Sequence, residues 1–237
     1  FNYRSCTGKL LHLIKWSRPE IGNAFRELSC YMSNAGMSHM KALYRVMNYC
    51  LNTSECGKVF KPRRNCKPED IGDFVFIVDG YSDSDYAKDP IKRRSVSGFC
   101  SFLEGCVLNT KSRMQPITSL SVTEAELIAA TECAQDLIFI KNVMESIGLK
   151  IRTPMNLNID NSGCIDLICN WSAGGRTRHM DTRMYFLREL KEEEPPIVMP
   201  IYCPTELNCS DIFTKNCDSA TFEEHVRAFC TDDSDFN

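Results

Sequence analysis

Four acids in this 237-residue sequence stand where an acid is costly or conspicuous. Glu126 heads an apolar stripe: steps of three or four residues from it reach Ala130, Cys133, Leu137, Ile140, Met144 and Ile147. An acid on such a stripe faces the rim of the core and needs a partner, a metal ion being one. The competing assignment makes Thr123 a helix cap with Glu126 as its reciprocal partner, whereas Ser121 and Glu124 have the spacing of a capping box themselves. Asp83 falls at or just past the end of the β-prone run Phe74–Val78. Asp85 follows two residues on, so extended chain points both to one side. Against this, Asp79-Gly80 is a hairpin signal that would leave both acids in a solvated loop. Asp160 ends a predicted strand at a strand-to-helix junction, where ligands gather in sheets with crossovers. Alternatively, Asp160-Asn161-Ser162 simply caps the next helix. Asp211 sits in a first helical turn, where an acid also complements the helix dipole. Taken together, four carboxylates from separate elements suit hard divalent cations such as Mg2+, a pair of which positions water and polarises a phosphate.

The elements that must bring them together are legible from periodicity. The first 57 residues read as helical. One helix starts near Pro19, after Ser17, and carries Ile21, Ala24, Phe25, Leu28 and Met32. A second follows Gly36, with Met40, Leu43, Val46, Met47 and Cys50. Residues 58–71 are basic and proline-interrupted and read as a linker or a strand edge between two units. Phe74–Val78 reads as a strand buried on both faces. Strands near 97–103 and 106–111 follow, joined by a hairpin at Glu104-Gly105. The clearest helix runs from Ser121 to Ile147 and stops at Gly148. A strand at 155–160, a helix through Trp171, a helix over 178–191, a strand at 197–203 and a last helical region complete the chain. Hairpin-linked strands followed by strand–helix crossovers predict an α/β fold with a mixed sheet flanked by helices.

Composition narrows the class. Hydrophobic residues at 43% and charged residues at 25% exclude wholesale disorder, and no apolar run approaches the ~18 residues of a membrane span. Fourteen cysteines without a CxxC spacing, beside four histidines, argue for reduced thiols in an intracellular protein rather than a disulfide scaffold or zinc module. The chain opens on Phe1 without a signal-peptide pattern and is expected to be the C-terminal part of something longer. The 28 cations against 31 acids argue against a simple cationic binder, but the average hides clustering. Lys58, Lys61, Arg63, Arg64 and Lys67 form one group; Lys92, Arg93, Arg94, Lys111 and Arg113 form a second around the single acid Glu104; Arg176, Arg178, Arg183 and Arg188 surround His179. Such clusters either contact phosphates or form a solvated face. Six acids crowd into residues 218–237, which read as an acidic, partly helical tail outside the domain.

Several segments resemble the ribonuclease H domain of copia-type LTR retrotransposon polyproteins: Tyr81 to Asp89, Arg93 to Phe99, Ser121 to Ala129, Ile159 to Ser162, Arg176 to Asp181 and Pro204 to Lys215, in the family's order. The likeness spans about residues 72–215. Tyr3 to Leu10, Ser17 to Ile21 and Tyr31 to Asn34 are similar to the thumb and connection that follow the polymerase palm in that family; the palm is absent. Departures are Tyr86 where tryptophan is usual, the loop Lys111 to Gln115, and the lack of proline-leucine after Lys215.

The resemblance implies a ribonuclease H-like five-stranded mixed sheet over residues 72–217, preceded by a helical thumb/connection segment (1–57) and the basic linker. It implies a metal-dependent endoribonuclease in which Asp83, Glu126, Asp160 and Asp211 hold two Mg2+ ions, or Mn2+ in their place, and hydrolyse the RNA strand of RNA–DNA hybrids. Asp83 would be shared by both ions, Glu126 and Asp160 would lie near the leaving group, and Asp211 near the attacking water. Arg93, Arg94, Lys111, Arg113, Asn161, Arg178 and His179 are the expected hybrid contacts, with Ser121 and Glu124 as capping residues. The expected partners are the hybrid and the upstream polymerase palm, with no membrane, in a cytoplasmic particle or the nucleus. Two alternatives stay open: an inactive remnant or scaffold, and a relative that cuts duplex DNA.

Overall fold

The computed structural model describes residues 2–170 and 181–231. Three helices open the chain: α1 (Tyr3–Trp16), α2 (Gly22–Ser29) and α3 (Met37–Asn52). They enclose a small core of Tyr3, Leu10, Ile21, Leu28 and Leu43. Pro19 heads a short 3-10 turn, Pro19–Ile21, rather than the α-helix itself. Beside it the Arg18 guanidinium is buried, donating to Glu20 at 2.6 Å and to the Thr53 carbonyl at 2.8 Å, which ties the turn to the end of α3.

Then come β1 (Gly57–Lys58), β2 (Val75–Phe76), β3 (Val78–Asp85), β4 (Val96–Leu103), β5 (Cys106–Met114), α4 (Val122–Ser146), β6 (Lys150–Ile151), β7 (Met155–Ile159), α5 (Ser162–Cys169), α6 (Asp181–Glu192), β8 (Val198–Tyr202), α7 (Ser219–Val226) and β9 (Cys230–Thr231). Five strands form the main sheet in the order β5-β4-β3-β7-β8. The β4 strand runs antiparallel to both of its neighbours, β3 and β5, and β7 and β8 run parallel to β3. This is the expected ribonuclease H-like mixed sheet. Residues of α4 such as Leu127, Ala130, Cys133 and Leu137 pack with Leu157, Ile159 and Leu187 in the larger core. A second core, of Cys100, Phe102, Val107, Ile212, Phe213 and Phe229, lies beside it.

Three local expectations give way to packing. The apolar run Phe74–Val78 is not one strand: β2 pairs in parallel with β6 in a separate two-stranded sheet, and the central strand starts at Val78. Asp79-Gly80 is therefore no turn. Gly80 lies inside β3 because α4 crosses it so closely that a Cβ there would come within 2.6 Å of Cys133 Sγ. The hairpin at Glu104-Gly105 does form, with both residues at positive φ (52° and 82°). The linker is not free chain either: Arg64 pairs with the buried Glu104 carboxylate and lies 4.6 Å over the Phe74 ring. Nor do residues 219–231 lie outside the domain, although α7 is the helix expected there. Val226, Phe229 and Cys230 are buried, Phe229 stacks on Phe102 and meets Phe213 edge-on, and β9 pairs with β1. Counting charges there concealed the apolar side chains between them.

Candidate active site

Asp83 is the sixth residue of β3, in register opposite Gly98 of β4. That glycine admits the segment carrying Asp211. A Cβ on Gly98 would stand 2.6 Å from Thr214 Cγ2, 2.9 Å from Phe213 Cβ and 3.2 Å from the Ser210 carbonyl oxygen. Asp211 sits in a 3-10 turn, Cys209–Phe213. Asn208 anchors this turn, its side chain accepting from Ser210 and donating to the Ser82 carbonyl of β3 at 3.0 Å. Asp160 follows β7, the parallel neighbour of β3. Oxygens of Asp83, Asp160 and Asp211 lie within 4.8 Å of one another.

Glu126 approaches from α4 on the other side of β3. Its Oε1 accepts from the Ser84 amide at 3.1 Å and the Ser84 hydroxyl at 2.7 Å, while its buried Oε2 has no hydrogen-bond partner. Burial first, and then the charges of Asp83 and Asp160, push its carboxyl well above the ordinary range. Burial and Asp83 likewise raise Asp160, whose Oδ2 accepts from the Thr205 hydroxyl at 3.2 Å. Asp211 is raised to about 7 by burial and by Asp83, with Lys215 opposing the shift. Its Oδ1 is buried and unpartnered. The Lys215 ammonium lies 3.2 Å from both Asp83 and Asp211, and the Thr214 hydroxyl donates to Asp83. Burial lowers the Lys215 pKa, but the two carboxylates more than reverse this.

These oxygens fit a hard divalent cation. Like charges are gathered against the burial penalty, and two buried carboxylate oxygens, on Glu126 and Asp211, are left without protein donors. A second cluster, Glu20, Cys56 and Cys230, is as tight but differs in kind, because Arg18 and the Cys230 thiol already engage Glu20.

A stretch of the retrovirus-related Pol polyprotein from transposon TNT 1-94 of Nicotiana tabacum is 30% identical over 221 residues, 93% of this chain and 16% of the polyprotein. The Pol polyprotein from transposon RE2 of Arabidopsis thaliana is 25% identical over 225 residues, 95% of the chain and 15% of that protein. This chain's homologues are thus retrovirus-related Pol polyproteins from copia-type transposons. The chain spans about one-sixth of the length of these polyproteins. Secreted RxLR effector protein 161 of Plasmopara viticola is also similar, 32% identical over 138 residues, 58% of the chain and 90% of that protein. No family model matches. Among solved structures, the N-terminal RNase H domain of rv2228c from Mycobacterium tuberculosis shares 9% identity over 65% of this chain and 99% of its own, with a TM-score of 0.42. The LC11-RNase H1 complex with RNA/DNA hybrid shares 13% over 58% and 93%, also at 0.42.

Around the site the capping alternatives separate cleanly. Ser121 accepts from the Glu124 amide at 3.1 Å, and Glu124 accepts from the Leu120 amide at 2.6 Å, so Glu126 is not needed as a cap. Asn161, expected at the substrate, accepts from the Cys164 amide at 2.8 Å and caps α5, which leaves Asp160 to face Asp83. Among the expected hybrid contacts, Arg93 and Arg113 are exposed and Arg94 is half-buried. Lys111 is paired with Glu132 at 2.9 Å. Arg178 and His179 lie outside the described residues. Arg188 is buried against the carbonyls at the end of α5 and is closed to phosphate. Lys215, Thr214 and Ser84 had no assigned role from sequence. A cation four residues after Asp211 was the available signal for Lys215.

Among the described residues no helix is long and apolar enough to cross a membrane.

Proposed function

We propose that this chain is the ribonuclease H of a copia-type reverse transcriptase, hydrolysing the RNA strand of RNA–DNA hybrids. The observation that carries the reading is the convergence of Asp83, Asp160 and Asp211 within 4.8 Å, with Glu126 alongside and buried oxygens unpartnered. Asp83, Asp160, Asp211 and Glu126 would hold Mg2+ or Mn2+. Two such ions activate water and neutralise the leaving oxygen of a phosphodiester.

The protein's own contribution is positioning. Thr214 and Ser84 orient Asp83 and Glu126. Lys215 balances charge between Asp83 and Asp211 and stands ready to pair with a phosphate oxygen. Arg93, exposed in the loop between β3 and β4, and Arg113, exposed on β5, would supply phosphate contacts along a hybrid. The reading carries with it an upstream polymerase palm as partner and a site of action in a cytoplasmic particle or the nucleus.

The test is cleavage of an end-labelled hybrid in Mg2+ by the wild type and by Asp83→Asn. Cleavage by the wild type alone supports the proposal. Cleavage by neither, or equally by both, sinks it and favours an inactive remnant. Preference for duplex DNA over hybrid would move the reading to the DNA-cutting alternative.

A further inference from the structure

Helix α2 belongs to the N-terminal helical segment, yet its two buried polar side chains make their long-range bonds to the β-sheet domain. Asn23 and Arg26 are 4% and 8% exposed, so their polar atoms need partners inside the protein. The Asn23 side-chain amide donates to the Lys215 carbonyl at 2.9 Å and to Asn216 Oδ1 at 3.2 Å. Arg26 donates to Asn23 Oδ1 at 2.6 Å, which fixes the amide with its NH2 toward the loop. Through Nε, Arg26 also donates to the Ser112 hydroxyl at 3.1 Å, and that hydroxyl donates to the Phe213 carbonyl. At the head of the helix, Gly22 lets the Phe213 ring approach to within 3.4 Å of where a Cβ would stand.

The two carbonyls held in this way, Phe213 and Lys215, bracket Thr214. Thr214 donates to Asp83, and Lys215 Nζ reaches Asp83 and Asp211. The turn is closed on itself, since the amides of Thr214 and Lys215 both donate to the Asp211 carbonyl, at 3.0 and 2.9 Å. A shift at Lys215 is therefore passed to Asp211. The sheet holds the other side of the same segment, through Gly98 and Asn208.

We propose that α2 is a positioning element of the carboxylate site: Asn23 and Arg26 set the 213–216 backbone, and so the placement of Asp211, Thr214 and Lys215 around Asp83. Neither residue touches the reacting groups. Their action makes the helical segment and the hydrolytic site one mechanical unit, so that displacing the segment loosens the site. This inference rests on the metal-site reading above.

The test uses the full chain with Asn23→Ala, Asn23→Asp, Arg26→Ala, Tyr3→Phe and Asp83→Asn. Asn23→Asp keeps the volume but turns the donor into an acceptor facing two acceptors. Tyr3→Phe removes a hydrogen bond to the Leu28 carbonyl within the helical segment and leaves the loop untouched. Mn2+ binding is measured by calorimetry without substrate, and hybrid cleavage is resolved into kcat and KM. Both Asn23 variants should weaken Mn2+ binding at least fivefold and lower kcat, with KM for the hybrid within twofold of wild type. Arg26→Ala should act in the same direction, and Tyr3→Phe should lower the melting temperature while binding Mn2+ like the wild type. Asn23 and Arg26 variants that lose thermal stability but keep wild-type Mn2+ affinity would reduce these residues to ordinary packing and overturn the inference alone. If Asn23→Ala does not fold, Asn23→Asp decides. Equal Mn2+ binding by wild type and Asp83→Asn would overturn the metal site, and this inference with it.

Discussion

Replacing Asp211 by asparagine should make the metal-free protein more stable while destroying its metal response. Asp211 lies within 4.8 Å of both Asp83 and Asp160, oxygen to oxygen. At an effective dielectric of about 20, each repulsion costs at least about 3 kcal/mol at that separation. Lys215, 3.2 Å away, returns about 5 kcal/mol on the same scale. The balance is a net penalty of about 2 kcal/mol, before the cost of burying the charge. The carboxyl pKa of about 7, against an ordinary 3.8, reflects the same charges together with burial. A rise of roughly three units corresponds to about 4 kcal/mol. Asparagine keeps the shape, removes the charge and supplies a donor toward Asp83.

For a chain of this size, about 2–4 kcal/mol is roughly 5–15 °C in melting temperature. The assay is thermal unfolding in EDTA at pH 8, wild type against Asp211→Asn, repeated down to pH 4 and then with Mg2+. The sign with pH follows from linkage. Between about pH 4 and 7 the folded carboxyl still holds a proton that the unfolded chain has released, so wild-type stability falls as pH rises through that window. The variant lacks this slope, and the two proteins converge near pH 4. At a hundredfold excess over Kd, Mg2+ should restore about 3 kcal/mol to the wild type and little to the variant. A variant less stable than wild type in EDTA at pH 8, or a difference that does not change between pH 4 and 7, would refute the electrostatic account of the site.

Gly98→Ala puts a methyl group 2.6 Å from Thr214 Cγ2, so the turn must retreat from β4; hybrid cleavage should fall at least tenfold, far more than the loss in melting temperature explains. Glu126→Gln removes a buried charge beside Asp83 and Asp160; in EDTA the protein should melt no lower than wild type, and calorimetry should show weakened Mg2+ binding. Phe229→Ala empties a buried ring site shared with Phe102 and Phe213. It should cost about 3–5 kcal/mol, seen as a large drop in urea midpoint; a near-wild-type midpoint would return residues 219–231 to the status of a dispensable tail.

Of the four candidate acids only Glu126 broke a local pattern, whereas Asp83, Asp160 and Asp211 each had an ordinary local explanation as a loop acid, a cap or a dipole partner. Glu126 interrupts an apolar stripe of α4, and α4 does bury Ala130, Cys133, Leu137 and Ile140 along that stripe. The hairpin at Glu104-Gly105, the Ser121 cap and the β7–α5 junction are also short-range signals, and the structure has all three. What stayed hidden depends on contacts far apart in sequence. The start of the central strand was misplaced because Gly80, Ser82 and Ser84 look like a turn. Those small residues belong to a strand only because α4 lies against it. Gly98 carries no local mark of admitting Thr214, and nothing near Asn23 points to a carbonyl 192 residues away.

Lys215 links these two kinds of information. A cluster of buried carboxylates must fold against its own mutual repulsion, which burial makes worse. The ammonium midway between Asp83 and Asp211 offsets part of that repulsion in the metal-free chain. It does so from a position set by backbone bonds to α2 and by the closed turn after Asp211. The site's tolerance of its own charge therefore depends on packing between the helical segment and the sheet. Sequence reading finds the acids because their charge is local. It does not find what makes the charge bearable, because that is a property of how distant segments meet.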